Sequence, residues 1–179
     1  MHLRAFVAAA LPCLLLAGGC GGGGSNDASP TTAPKPPATE RSPLALPAGI
    51  PRSATGPADA VATRTIRRWA QALRAGEIER AAALWALPAK IQNATPVITL
   101  RTLADVLIFN DSLTCGAVLT GAGGAGGYTI ATFRLTERRG GHGQCGSGVG
   151  HRAQTAVRVR GGRIVAWYRL PETTSAPVV

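Results

Sequence analysis

Between residues 57 and 75 the apolar positions Ala62, Ile66, Trp69 and Leu73 recur at spacings of four, three and four, with Arg64, Arg67, Arg68, Gln71 and Arg74 between them. That period puts the first set on one face of a helix opened by Pro57-Ala58-Asp59 and leaves the second set in water. Gly76 supplies a left-handed stop, and Glu77 starts a second, shorter helix in which Ile78, Ala82 and Trp85 align before Pro88 ends it. Trp69 and Trp85, each on its helix's apolar stripe, read as core packing.

Beyond this helical hairpin the pattern changes. Residues 90–100 read as short strands interrupted at Asn93-Ala94-Thr95-Pro96, and Thr102 with Asp105 resembles a capping box for a third helix ending near Asp111. Four strand patterns come next, at 115–120, 128–137, 153–160 and 163–170. Glycine-rich loops at 121–127 and 140–150 divide them, and Gly161-Gly162 suits the positive φ angles of a tight hairpin. These elements predict an α+β domain, a helical hairpin and a third helix packed in a curved antiparallel sheet.

The first residues have a different character. Arg4 precedes a nearly unbroken apolar run from Ala5 to Leu16, the charged and hydrophobic regions of an export signal. Twelve residues fall short of the about 20 that a stable membrane span needs. Leu16-Ala17-Gly18-Gly19 then leads directly into Cys20, which resembles the lipobox of bacterial lipoprotein precursors, although Leu16 stands one place further from the cysteine than in that family. The resemblance implies cleavage after residue 19, acylation of Cys20 and anchorage on the outer face of the cell membrane. Residues 21–56, with six glycines and seven prolines and few large apolar groups, read together with Cys20 as a lipidated, disordered tether, the alternative being a segment ordered against the domain through Leu44, Leu46 and Ile50. The folded domain is placed at 57–172 and a flexible tail at 173–179.

Charge adds little to this division. The 179-residue chain has a formal net charge of +10, and the domain carries fifteen Arg or Lys against seven Asp or Glu. Nearly all of the basic residues are arginines in an Ala-, Gly- and Pro-rich chain, as a GC-rich genome produces. The bland reading is a solvated basic surface. The functional one is attraction to anionic envelope polymers or lipid headgroups. Nucleic acid is not an expected partner of an exported protein, and the sequence does not set an oligomeric state, a dimer being one option.

Leu73 to Ala82, running through Gly76-Glu77-Ile78, and the closing Arg160-Gly161-Gly162-Arg163-Ile164-Val165-Ala166-Trp167 together resemble the SnoaL-like branch of the nuclear transport factor 2-like superfamily. The resemblance implies a cone, with the sheet wrapped around the helices and a pocket at its wide end. Enzymes of that superfamily place an Asp or His base in an apolar pocket, where desolvation raises a carboxylate pKa toward neutrality.

This chain supplies few such groups. The last two strand patterns contain no Asp, Glu or His, and the remaining acid–base candidates are Asp105, Asp111, Glu137, His142 and His151, at helix ends, strand ends or loops. Tyr128 and Tyr168 are candidate hydrogen-bonding groups for a pocket ligand. Arg134, Arg158 and Arg169 alternate with apolar positions, so each faces solvent or, less often, points inward to hold an anionic group; Arg134 is kept with the tyrosines as a candidate ligand contact. The GAGGAGG tract precedes no helix and lacks the context of a phosphate loop, so it reads as a hairpin linker. His142, Cys145 and His151 lack the spacing of a metal site, and neither metal nor cofactor is expected. Cys13 leaves with the signal and Cys20 is modified, so Cys115 and Cys145 are expected to form a disulfide in an oxidising compartment. The resulting expectation is a lipid-anchored, non-catalytic module binding a small apolar or amphipathic molecule or a protein partner. An isomerase, dehydratase or cyclase, or a structural envelope component, is the alternative.

Overall fold

The computed structural model describes residues 45–141 and 143–171; the expected signal, Cys20, most of the tether, His142 and the tail lie outside them. In chain order the elements are β1 (Gly56–Pro57), α1 (Ala60–Ala75), α2 (Ile78–Ala82), β2 (Trp85–Gln92), β3 (Ile98–Leu100), α3 (Leu103–Ser112), β4 (Gly116–Ala125), β5 (Tyr128–Thr136), β6 (Arg152–Arg160) and β7 (Arg163–Arg169). The strands form one sheet in the order β1-β4-β5-β6-β7-β2-β3. Three helices pack on one face of it, the α+β architecture that the sequence pattern predicts.

The helix starts reflect local chemistry. The Asp59 side chain accepts a hydrogen bond from the Ala62 N–H (2.7 Å), and Thr102 and Asp105 form a reciprocal capping box on α3. Gly76 closes α1 in the left-handed conformation, and a Cβ there would also collide with the Arg139 carbonyl, so two constraints demand glycine.

Three features depart from the sequence reading. The second helix ends at Ala82, and Trp85 opens β2, with Pro88 inside an irregular stretch where the register shifts between Trp85 and Lys90. The sheet is mixed, because β2 lies parallel to β7 while the other neighbours are antiparallel. The glycine tract is largely strand: β4 runs through it to Ala125, and only Gly126 and Gly127 make the turn.

Alternation along the strands divides the buried residues into two layers. On the helix side, Trp69, Trp85, Phe109, Phe133 and Trp167 meet edge to face with centroids 5.4 to 6.5 Å apart. Ile66, Val106, Val157 and Ile164 fill in around them. On the opposite side a smaller layer of Tyr128, Ile130, Ala156, Ala166, Tyr168 and Leu170 is covered by Leu46 and Ile50. The segment ahead of α1 therefore straps the back of the sheet. The Gln92 side chain donates to the Ala45 carbonyl (3.2 Å), and the Thr55 N–H donates to Gly124 O (2.9 Å). Gly123 and Gly124 allow this approach, since a Cβ on either would overlap Ala54 or Pro57.

Candidate functional site

The concave recess lies between α1, the end of α3 and the inner face of the sheet, and has a volume of about 170 Å³. Its floor is aromatic and small: Trp69, Phe133 and Trp167 with Ala153. Strand parity brings these together. Phe133 pairs with Ala153, Val157 with Trp167 and Thr155 with Arg169, so all six side chains share the inner face. Polar groups lie among them. Thr155 and Trp167 each carry a buried polar atom, Oγ1 and Nε1, with no hydrogen-bond partner among the described residues, and half-buried Arg169 lines the recess beside Asn93 and Thr114. No Asp, Glu or His belongs to the described lining.

Each candidate from the sequence has a definite place. Tyr128 and Tyr168 do meet, with ring centroids 6.1 Å apart, but in the back layer under Leu46 and Ile50. Arg158 stacks over the Tyr128 ring at 4.1 Å. Burial in this layer pushes the Tyr168 hydroxyl pKa up, with neighbouring Tyr128 adding to the effect and Arg158 opposing it. Arg134 is exposed on the same back face, opposite Arg152. None of the three lines the recess. The inward arginine is Arg169, which the sequence pattern favours for solvent; it stands two residues from Trp167, and that parity is the available signal.

The acidic candidates have other duties. Asp105 accepts from the Arg101 and Thr102 backbone N–H groups (2.8 and 2.9 Å), which hold its carboxyl below the usual carboxylate pKa. Glu137 accepts from the Cys145 N–H (3.3 Å), and His151 is exposed. Asp111 binds Arg138 (2.8 Å), whose guanidinium also donates to the carbonyls of Asn110, Asp111 and Leu113. Arg138 is only 7% exposed, so it acts as a buried cationic cap on the C-terminal turn of α3. The cap joins the recess through Asn110, fully buried, whose Oδ1 accepts from Trp69 Nε1 (3.0 Å). The expected disulfide is present: Cys115, in the wall of the recess, is bonded to Cys145, which ties the start of β4 to the loop before β6.

Among the described residues no group of three or more His, Cys, Asp or Glu is placed to hold a metal ion, and no helix is long and apolar enough to cross a membrane.

No protein-family model matches the chain, and no curated protein matches it. Solved structures with a related chain path include a protein from Kribbella flavida provisionally described as a ketosteroid isomerase, 20% identical, covering 65% of this chain and 82% of its own, with a TM-score of 0.48. Another is a de novo designed protein with a curved β-sheet, 12% identical, covering 65% and 88%, with a TM-score of 0.49. An NTF2-like protein of unknown function from Cytophaga hutchinsonii is 9% identical, covering 60% and 87%, with a TM-score of 0.46. At these identities the likeness is one of fold.

Proposed function

We propose that this chain is a lipid-anchored extracytoplasmic module that binds a small amphipathic molecule without transforming it. The observation that carries the binding reading is the recess, with an aromatic floor, a guanidinium in its lining and no carboxylate or imidazole among the described lining residues. An apolar space of about 150 Å³ holds a benzene-sized molecule, so the ligand is a single ring or a short branched chain bearing acceptor oxygens. The half-buried Arg169 side chain in the lining supplies donors for those oxygens. Proton transfer requires a group whose pKa lies near the working pH, and the described lining offers none.

Trp69 and Trp167 make the recess self-reporting. Tryptophan fluorescence is expected to respond to benzoate and to toluene, and Arg169→Met to weaken benzoate about tenfold or more while leaving toluene unchanged. Native mass spectrometry of the chain purified from its own membrane fraction then identifies any retained ligand. A fluorescence response to neither probe, or conversion of a retained molecule to product, overturns this reading. The anchor is tested separately. Cys20→Ala is expected to abolish acylation and leave an uncleaved or released protein, and unchanged mobility with full membrane retention overturns it.

A further inference from the structure

The solvent face of α1 carries Arg64, Arg67, Arg68 and Arg74, all exposed, and α1 contains no acidic residue. With 3.6 residues per turn these four fall within an arc of about 120°, opposite the buried Ile66, Trp69 and Leu73, along about 15 Å of helix. Arg139 extends the stripe, because its backbone N–H donates to the Arg74 carbonyl (3.2 Å) and its side chain is exposed. None of the five forms an ion pair among the described residues. Of the flanking acids, Glu77 pairs with Arg80 (2.7 Å), Asp59 caps α1 and Glu137 accepts from the Cys145 N–H.

The cluster of Arg64, Arg67 and Arg68 in this stripe opposes the folding of its own helix. Like charges three and four positions apart, as Arg64 stands to Arg67 and Arg68, destabilise a helix. A surface of closely spaced anions relieves that repulsion, and the planar guanidinium fork matches phosphate oxygens. We propose that this face of α1 docks on the phosphate headgroups of an anionic bilayer. The choice of a bilayer over another polyanion rests on the anchor at Cys20 proposed above. Ala45 lies only 25 positions after that cysteine, which confines the domain to within about 90 Å of the membrane.

The test uses the mature chain from residue 20 with Cys20→Ala, so that no acyl chain contributes and the failure of either idea is read by itself. Its partitioning is measured by co-sedimentation with vesicles of phosphatidylcholine alone or mixed with phosphatidylglycerol. Each basic residue at an anionic surface raises partitioning about fivefold, so the triple variant Arg64→Gln, Arg67→Gln, Arg68→Gln is expected to lose about a hundredfold on the mixed vesicles. The charge-matched triple Arg101→Gln, Arg134→Gln, Arg152→Gln, on exposed positions elsewhere, is expected to lose less than about tenfold. Thermal unfolding confirms that both variants are folded. Equal losses in the two triples overturn the docking face in favour of net charge alone. Absence of binding to the mixed vesicles at low salt, or binding to soluble polyphosphate in place of vesicles, overturns the bilayer as the occupant.

Discussion

Replacing Arg138 with Met keeps the length and apolar stem of the side chain and removes its guanidinium. Three backbone carbonyls at the end of α3 and the Asp111 carboxylate then lose a charged donor. The Asn110 carbonyl keeps a second donor, the Leu113 N–H at 3.4 Å, and Asp111 is more than a third exposed, so its ion pair adds only about 1 kcal/mol. The bonds to the Asp111 and Leu113 carbonyls carry the rest at about 1.5 kcal/mol each, for a total near 3 to 4 kcal/mol. In a domain of this size that corresponds to a fall in Tm of about 10 to 20 °C, read by circular dichroism or tryptophan fluorescence. Arg138→Lys is expected to recover about half, since one ammonium cannot span the acceptors that a planar fork spans. A Met variant within about 1 kcal/mol of the parent would refute the claim that this buried cation caps the C-terminal turn of α3.

Replacing both Cys115 and Cys145 with Ser opens a loop closed across a separation of 30 residues, with an expected loss of about 3.5 kcal/mol in urea unfolding. Asp105 titrates below the usual carboxylate value. Its contribution to stability is present above that value and is lost as the pH falls through the lowered one, so Asp105→Asn flattens the acid limb of the stability profile, with NMR of its carboxyl as the check. Tyr168 has the opposite sense: its raised pKa stabilises below the ordinary tyrosine value and is lost as the pH rises through the raised one, and Tyr168→Phe is expected to remove that alkaline loss. Gly124→Ala is expected to lift the strap, seen as lost hydrogen-exchange protection at the Thr55 amide with the main unfolding transition little changed.

How far the sequence can be read depends on the range of the information needed. The stripe of α1, the Gly76 stop, the Thr102–Asp105 cap and the Gly161-Gly162 hairpin are written within a few residues of one another, and all are found. Ile78, Ala82 and Trp85 keep helical spacing, yet the chain leaves the helix at Ala82, because pairing with β7 gives Trp85 through Gln92 a ladder that local propensity does not encode. The glycine tract carries every local signal of a turn. It is strand because two chain segments pass close to it, and a distant segment leaves no mark on local composition. At the recess, alternation shows that Trp167 and Tyr168 occupy opposite faces but not which face is inner. Fixing Trp167 as inner also fixes Arg169 as inward and Tyr168 as outward.

The strap on the back of the sheet also sets the order in which this molecule yields to force. A pull applied at the N-terminal side reaches the Ala45–Gln92 contact first, then the wedge of Leu46 and Ile50, and then the two-residue ladder of β1 on β4. These elements stand in series, and all are shorter than the ladders behind them. The Asp59 cap and the long ladders among β4, β5, β6 and β7 open only after them. The strap is thus a mechanical fuse: it is the first part to give up length under tension, ahead of the long ladders that carry the aromatic floor.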